Sequence, residues 1–455
     1  MKRFMFINAI NPIKETESGL QPLGVGYLIS SLRERFERDY IKFKVIDRDI
    51  EQEIKKFKPD IIGITSVSQN YNRAIKDAKI AKKYRIPVIM GGMHISALPS
   101  ILTKDMDAGI IDEGEQTIIE LFNLFERKGC LDANELENID GIAFKKDNKL
   151  IVTKKRKPIV PLDKIPMPAR DLFTIKNSTY MFTSRGCPYR CTFCASSRFW
   201  GNVRFFSAEY VVNEIKYVVE RYNVKEIQFW DDLFVADKVR LRKILELLRK
   251  ENILNKVSFT CNARSNLVDD ELASLLKQMN MKSVGMGLES ASQTTLEYLK
   301  GKGITIDNHR NAIKILRKYG IEPHTSFIIG SPKETKKEIL QTLRFIKENK
   351  LTHFNVSILT PFPGTPVWDY AKARNLVSED MDWDALGISF NENHDKAVIV
   401  SETLTRDELY HLYLLFRNQK LKILISNTLK HPLRIPRVLL KAVERILLNI
   451  PLIDK

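Results

Sequence analysis

The chain has 455 residues, 44% of them hydrophobic and 28% charged, an ordinary composition for a globular protein with room for two or three domains. Its five cysteines are too few for a disulfide framework, and no apolar run is long enough to span a bilayer, so we expect a cytoplasmic protein. The formal net charge of +17 fits nucleic acid, a membrane surface or an acidic protein partner, and does not decide among them.

Residues 1–130 alternate between apolar strand-like runs and helical segments, which predicts a doubly wound α/β domain. Ligands of such sheets bind beyond the carboxyl ends of the strands, where Gly91, Gly92 and His94 follow the fourth predicted strand. For a lone histidine such as His94, packing or hydrogen bonding is a more usual role than metal binding. The predicted strands cover residues 3–8, 43–47, 60–65, 87–90 and 108–111.

Residues 131–178 form a connector. Residues 141–153 predict a hairpin with a charged turn, and the basic run at 154–157 predicts a solvated edge rather than a nucleic-acid patch. Four prolines between residues 158 and 168 then predict a stiff linker.

Residues 179–390 repeat strand then helix, which predicts a partial (β/α)6 barrel whose active face lies at the carboxyl ends of its strands. Cys261 is interpreted as a small core residue. The second strand ends in two neighbouring carboxylates, Asp231 and Asp232. One interpretation is that they cap the next helix. The predicted strands, with their turns, cover residues 180–183, 226–234, 257–264, 283–290, 326–335 and 355–360.

Three of the five cysteines, Cys187, Cys191 and Cys194, follow the first barrel strand closely. A structural zinc site needs four ligands, but the next cysteine is far downstream and no histidine is near. Three thiolates instead suit an iron–sulfur cluster in which one iron has no protein ligand. Such an open coordination site is where chemistry can occur.

The run Cys187-x3-Cys191-x2-Cys194, with Phe193 before the last cysteine, resembles the signature of radical S-adenosylmethionine (SAM) enzymes. The resemblance implies that the cysteines hold a [4Fe–4S] cluster, that SAM occupies its fourth iron, and that one electron cleaves SAM to a 5′-deoxyadenosyl radical. Phe193 is counted among the cofactor contacts. The other implied SAM contacts are Asp231 or Asp232 at the amino group, Arg264 at the carboxylate, Glu289 and Ser290 at the ribose, and Gly330, in a Gly-x-Pro-x-Glu-Thr run, near the adenine.

Residues 1–130 resemble the Rossmann-like cobalamin-binding domain that precedes the radical domain in one branch of this family. The resemblance implies that cobalamin binds here, with Gly24, Gly91, Gly92 and His94 as candidate contacts. Classical cobalamin domains carry Asp-x-His-x-x-Gly, which this chain lacks, so the lower ligand of the cobalt stays open. A scaffold that binds no cofactor is the alternative. The matching segments are residues 22–28, 59–64, 91–94 and 112–115.

Residues 391–455 predict a helical C-terminal extension with two apolar stripes, the second within residues 439–450 and opposite Lys441 and Arg445. Packing on the barrel is the preferred interpretation of this second stripe. Peripheral contact with a membrane surface, or a cover over an apolar substrate channel, is the alternative. The first stripe consists of Leu409, Leu412, Tyr413 and Phe416.

Together these resemblances predict a radical SAM enzyme that methylates an unactivated carbon with the help of cobalamin. The alternative is cyclisation, carbon–carbon coupling or oxidation without methyl transfer. A metal-containing nucleic-acid-binding module is a weaker hypothesis, since the chain has no aromatic-rich basic strand pair, and we expect no nucleic acid partner. A flavodoxin or ferredoxin is the expected reductant, because its acidic surface suits the net charge of +17. The substrate, whether a lipid, a peptide or another small molecule, is not readable from the sequence.

Overall fold

The computed structural model describes residues 1–10, 21–37, 39–388, 390 and 393–430. They contain two open α/β sheets. The first sheet has seven strands in the order β2-β1-β3-β4-β5-β6-β7, of which β1 to β5 are parallel while the hairpin of β6 and β7 is antiparallel. Its strands are β1 (Lys2–Asn8), β2 (Ile41–Ile46), β3 (Ile61–Thr65), β4 (Val88–Gly91), β5 (Ala108–Ile110), β6 (Ile142–Lys146) and β7 (Lys149–Val152). Its helices are α1 (Leu23–Arg35), α2 (Ile50–Phe57), α3 (Tyr71–Lys83), α4 (Met93–Ala97), α5 (Glu115–Lys128) and α6 (Ala133–Leu136).

Strand β1 shows why these segments form a sheet that is buried on both faces. Phe4 and Phe6 belong to one hydrophobic core, whereas Met5 and Ile7 belong to the core on the opposite face. Because successive side chains point to opposite faces, a strand covered on both sides appears in the sequence as an uninterrupted apolar run.

The second sheet has six parallel strands in the order β15-β14-β13-β12-β11-β8, which is the sequential order of a partial barrel. The fold class predicted from the sequence is therefore confirmed. The remaining strands are β8 (Ser178–Met181), β9 (Ser184–Arg185), β10 (Arg204–Phe205), β11 (Glu226–Phe229), β12 (Ser258–Ala263), β13 (Met281–Glu289), β14 (Glu322–Ile329) and β15 (His353–Ile358). The remaining helices are α7 (Ser196–Phe199), α8 (Ala208–Tyr222), α9 (Lys238–Lys250), α10 (Asp270–Gln278), α11 (Gln293–Lys300), α12 (Ile306–Lys318), α13 (Lys336–Glu348), α14 (Pro366–Lys372) and α15 (Arg406–Lys430).

After the sixth barrel strand the chain returns to the first sheet. Trp368 and Trp383 are buried in the same core as Met5 of β1. Asn72 of α3 donates a hydrogen bond to the carboxylate of Asp382 at 2.6 Å. Residues 366–386, which we call the brace, therefore pack the barrel's C-terminal side onto the first domain.

Helix α15 packs on the barrel through the first predicted apolar stripe, since Leu409, Leu412 and Phe416 are buried in the barrel core. The second stripe, residues 439–450, lies outside the described residues. Within the described part of the chain, no helix combines the length and the apolar character needed to cross a bilayer.

Candidate active site between the two sheets

A cavity of about 350 Å³ lies where the carboxyl ends of the two sheets face each other. The first domain contributes the end of β3, Gly91 and Gly92 after β4, and residues 112–115 after β5. The barrel contributes residues 184–186 and Trp230, which follows β11. Because parallel α/β sheets bind ligands at this edge, one cavity is open to ligands of both domains.

Glycines open the first domain's wall of this cavity. A Cβ atom on Gly24 would meet nothing within 4 Å, and one on Gly91 would approach only the carbonyl oxygen of Ile64, at 4.0 Å. Gly92 has a φ of +106°, and a Cβ there would clash with the carbonyl group of Ser66, so this position requires glycine. Deeper in, the cavity continues as an apolar slot between the sheet and helices α1 and α5, lined by Phe6, Val25, Leu28, Ile89, Ile110 and Ile118.

The three clustered cysteines lie in a loop whose two ends are paired as the short antiparallel ribbon of β9 and β10. Gly186, just before Cys187, has a φ of +88°, which lets the loop turn out of β9. Burial raises the pKa of Cys187 to about 11 and also raises that of Cys194, so both thiols are neutral without a cation beside them. Among the described residues, no three His, Cys, Asp or Glu side chains lie close enough to share one metal ion.

Arg264, at the end of β12, lies beside this loop. Its guanidinium Nη1 is 3.6 Å from the sulfur of Cys191, and it stacks over the ring of Tyr189 at 4.0 Å. Its Nη2 donates to the carbonyl oxygen of Lys300 at 3.1 Å. These contacts hold a buried cation next to the cysteine loop, where it can bind an anionic group.

The two neighbouring carboxylates have different surroundings. Asp231 is fully buried and accepts hydrogen bonds from the backbone N–H of Thr183 at 2.7 Å, and from the hydroxyls of Thr183 and Ser184. Asp232 faces the cavity and accepts only from the hydroxyl of Ser196. Burial raises the pKa of the Asp231 carboxyl group, whereas the side chain of Asp232 is exposed. Asp231 therefore fixes the start of the cysteine loop, and Asp232 is the one free to meet a ligand.

Neither carboxylate caps the following helix, so that alternative is wrong. Asp237 caps α9 instead, because its side chain accepts from the backbone N–H of Arg240 at 3.0 Å. Ser207 caps α8 in the same way, since its hydroxyl accepts from the backbone N–H of Tyr210.

Glu289 ends β13 with a left-handed backbone, at a φ of +63°, beside the space that Gly287 leaves open. Lys300, at the end of α11, places its ammonium 3.4 Å from the Glu289 carboxylate. Burial raises the pKa of Glu289, against the opposing effect of Lys300 and Arg264. The adjacent Ser290 turns away from this group, and its hydroxyl lies 3.4 Å from that of Thr342.

Like Arg264, Glu289 and Ser290, the candidates Phe193 and Gly330 do not line the cavity. Gly330 has a φ of +84°, donates its N–H to Glu334 at 2.8 Å and faces Leu409 of α15. Phe193 packs against the core that the first sheet shares with the brace. Cys261 is buried in the barrel core, as interpreted from the sequence.

His94 does not line the cavity. Its Nδ1 lies 2.9 Å from the hydroxyl of Ser68, and its ring packs 4.3 Å from that of Trp383 and 4.5 Å from that of Tyr71. Burial lowers its pKa to about 3, so the imidazole is neutral. His94 therefore packs beneath the brace, where Trp383 covers its ring, and its role as a cofactor contact stays a prediction.

Comparison with known proteins identifies the two halves of the cavity. A model of the B12 binding domain matches residues 13–122, and a model of the radical SAM superfamily matches residues 181–346. An uncharacterized methyltransferase of Pyrococcus horikoshii is 35% identical over 378 residues, which cover 80% of each chain. The chain belongs to the radical SAM superfamily, in its branch with a B12-binding domain.

Two further proteins are similar to this radical SAM enzyme over most of its length. The anaerobic magnesium-protoporphyrin IX monomethyl ester cyclase of Rubrivivax gelatinosus is 26% identical. The aligned region covers 80% of this chain and 70% of the cyclase. The structure of the radical SAM methyltransferase TsrM from Kitasatospora setae, with cobalamin and a [4Fe-4S] cluster bound, matches with a TM-score of 0.68. That match has 18% identity and covers 83% of this chain and 76% of TsrM, which shows a shared fold.

The radical SAM enzyme uses a [4Fe–4S] cluster, SAM and cobalamin, and its residues fit these groups. The glycine wall and the apolar slot leave room for a large, partly flat ligand. Burial raises the pKa of the Cys187 and Cys194 thiols, an effect that a bound metal would offset, and Arg264 offers a cation beside Cys191. The family assignment also decides against the zinc site and the nucleic-acid-binding module.

Sequence reasoning missed several residues of this site. Lys300 is the last residue of a helix and does not follow a strand, so its place beside Glu289 had no local signal. Arg185 and Trp230 lie on the cavity wall, one just before Cys187 and the other just before Asp231. Their positions next to quoted motifs were the signal that could have found them.

Proposed function

We propose that this radical SAM enzyme methylates an unactivated carbon of a small substrate. The observation that carries the proposal is the cavity shared by the two sheets, which touches the cobalamin-type wall at Gly24, Gly91 and Gly92 and the cysteine loop at Gly186. When bound, the cluster with SAM supplies a 5′-deoxyadenosyl radical and cobalamin supplies a methyl group. Methylation needs both at one substrate carbon, and a shared cavity permits that.

The site residues take the following proposed roles. Cys187, Cys191 and Cys194 hold the cluster. Arg264 binds the carboxylate of SAM, because it is the buried cation next to Cys191. Asp232 rather than Asp231 binds the amino group, since the oxygens of Asp231 are already occupied. Glu289 binds the ribose, and Lys300 holds the Glu289 carboxylate in place.

The protein also keeps the reacting groups away from water. The barrel side of the cavity is walled by the aromatic rings of Phe182, Phe199, Trp200 and Trp230. Such a wall keeps solvent away from the reacting groups and so limits side reactions of reactive intermediates. Orientation and exclusion of water are thus the tasks of this chain, while the cofactors supply the bond-breaking chemistry.

The second candidate function is a radical cyclisation, coupling or oxidation without methyl transfer, favoured by the similarity to the Rubrivivax gelatinosus cyclase. The products of SAM separate the two functions. A methyltransferase of this kind consumes SAM twice and releases both 5′-deoxyadenosine and S-adenosylhomocysteine. A cyclase releases no S-adenosylhomocysteine.

The experiment is anaerobic reconstitution with iron, sulfide and hydroxocobalamin, followed by incubation with SAM and a chemical reductant. We expect bound iron, stoichiometric cobalamin and 5′-deoxyadenosine. Cys191→Ala should remove iron and 5′-deoxyadenosine together, whereas Cys130→Ala, at an exposed cysteine outside the site, should change neither. Iron-free protein with full cobalamin binding, or 5′-deoxyadenosine from Cys191→Ala, would contradict the proposal.

Members of this family need an external reductant, and we propose a flavodoxin or ferredoxin that docks by charge. The rate of 5′-deoxyadenosine release with such a carrier should fall as salt rises, while the rate with a chemical reductant should not. A lipid substrate and peripheral membrane contact through the C-terminal helices stay proposals, tested by co-sedimentation with anionic vesicles. A cytoplasmic location also stays a prediction.

A further inference from the structure

Four buried charged side chains join the two domains at the wall of the cavity. Glu113 lies in the loop after β5 and Glu115 is the first residue of α5, while Arg185 and Arg204 are direct partners on the ribbon of β9 and β10. Arg185 donates to Glu113 at 2.7 Å and also to Glu115. Arg204 donates to both carboxylate oxygens of Glu113, at 2.8 and 3.0 Å. We call these four residues the clamp.

The clamp has further contacts around it, while the Nε of Arg204 and the Oε2 of Glu115 are buried without a hydrogen-bond partner among the described residues. The second oxygen of Glu113 also accepts the backbone N–H of Ile159 at 2.8 Å. The guanidinium of Arg185 lies between two rings, 5.5 Å from that of Tyr27 and 4.9 Å from that of Trp200. No side chain of the four is more than 12% exposed. Two positive and two negative charges make the group neutral, so it can stay buried.

Stability alone is a weak reason for such a group. A buried ion pair costs so much desolvation that apolar residues of the same shape would stabilise the interface at least as well. What charges provide, and apolar residues do not, is one defined geometry, because each guanidinium fits a carboxylate in a fixed orientation.

The clamp is in the right place for such a geometric role. Its carboxylates belong to residues 112–115, which line the cavity on the first domain's side. Arg185 is followed directly by Gly186 and Cys187, so any movement of the arginine moves the start of the cysteine loop. A ligand in the cavity can touch both ends of the clamp, since Glu113, Glu115 and Arg185 all line it.

We propose that Arg185, Arg204, Glu113 and Glu115 are positioning residues that couple the cobalamin side of the cavity to the cysteine loop. The proposal rests on the proposed function, because it needs cobalamin on one side and SAM on the other. Cobalamin, when bound, restricts the motion of residues 112–115. Through the clamp, this restriction extends to the ribbon of β9 and β10, so that the cysteine loop binds SAM more tightly. Coupling of this kind is reciprocal, so SAM must tighten cobalamin binding by the same factor.

The test measures the dissociation constant of SAM for the anaerobically reconstituted enzyme, with and without saturating hydroxocobalamin. Equilibrium dialysis of SAM against the enzyme with its cluster left oxidised reports SAM binding directly, because no electron is available to cleave SAM. The variant is Glu113→Gln with Arg204→Gln, which leaves Arg185 paired with Glu115 and the group neutral. The matched control is Arg33→Gln, which removes the half-exposed pair with Asp171 between α1 and the linker.

In the wild type we expect hydroxocobalamin to lower the SAM dissociation constant at least about fivefold, the usual lower bound for coupled sites. The double variant should still bind iron and hydroxocobalamin, but the factor should fall to near one, and Arg33→Gln should keep the wild-type factor. A double variant with the wild-type factor, or a wild type that binds both ligands without coupling, overturns this inference alone. A wild type that binds no hydroxocobalamin overturns the proposed function together with it.

Discussion

Substitution of the neighbouring carboxylates Asp231 and Asp232 should affect two different quantities, the free energy of unfolding and the dissociation constant of SAM. In Asp231→Ala, three buried donors on Thr183 and Ser184 lose their acceptor. The two hydroxyls can turn to other partners, but the backbone N–H of Thr183 cannot, and the buried Arg240 loses its nearby counter-charge. At about 1–3 kcal/mol for each unsatisfied buried group, and 3–5 for a broken buried charge pair, we expect a loss of about 3–5 kcal/mol.

Asp232→Ala removes only the hydrogen bond from the hydroxyl of Ser196, at the edge of the cavity. Its free energy of unfolding should stay within about 0.5 kcal/mol of the wild type. The SAM dissociation constant should instead rise about tenfold or more, the cost of one hydrogen bond to a charged group. Denaturant unfolding followed by tryptophan fluorescence, on proteins prepared identically, measures the first quantity. Equal losses of stability in the two variants would refute the assignment of different roles.

Three further changes test the fold around the site. Gly92→Ala should destabilise the protein by at least about 1–3 kcal/mol, because a Cβ meets the Ser66 carbonyl at a positive φ, whereas Gly91→Ala should leave unfolding unchanged and weaken hydroxocobalamin binding. Burial raises the pKa of Glu334 to about 8, from 4.5. The folded state therefore holds this proton more tightly than the unfolded chain, and stability should fall as pH rises from about 4.5 to about 8. Unfolding curves of Glu334→Gln should lack that fall, and a parallel pH dependence in both proteins would exclude Glu334 as its source. Trp383→Ala should cost about 3–5 kcal/mol by opening a cavity over His94, and should weaken hydroxocobalamin binding while iron binding by the cysteine loop is retained.

The order of the elements was predictable because each barrel strand is followed by a helix, and each strand is a local apolar run. The fourth barrel strand was predicted at residues 283–290, and β13 spans Met281–Glu289. Glu289, the last residue of this strand, was predicted as a contact because parallel strands present ligand-binding residues at their carboxyl ends. Such signals are local, so a single sequence suffices to read them.

The partners of the site residues were not predictable, because they come from distant parts of the chain. Asp231 is occupied by Thr183, 48 residues earlier, and Glu113 is held by Arg185, 72 residues later. His94 stood beside a Gly-Gly turn in the sequence, which suggested a ligand. Only the return of the brace places Trp383 over its ring. Periodicity shows which residues are buried and does not show which of them meet.

Contacts elsewhere in the chain fix the distance between the carboxyl ends of the two sheets. The carboxyl ends of each sheet would offer only half of the cavity, so a reaction that uses both needs them at one fixed distance. Three independent contacts set that distance: the clamp, the brace, and the bond from the Tyr180 hydroxyl in β8 to the carbonyl of Gln21, just before α1. The brace anchors the first domain from the side opposite the linker. Loss of Trp383 should therefore affect the cobalamin side first, whereas loss of Asp231 should affect the cysteine loop first, and the two variants should be distinguishable by which cofactor they fail to hold.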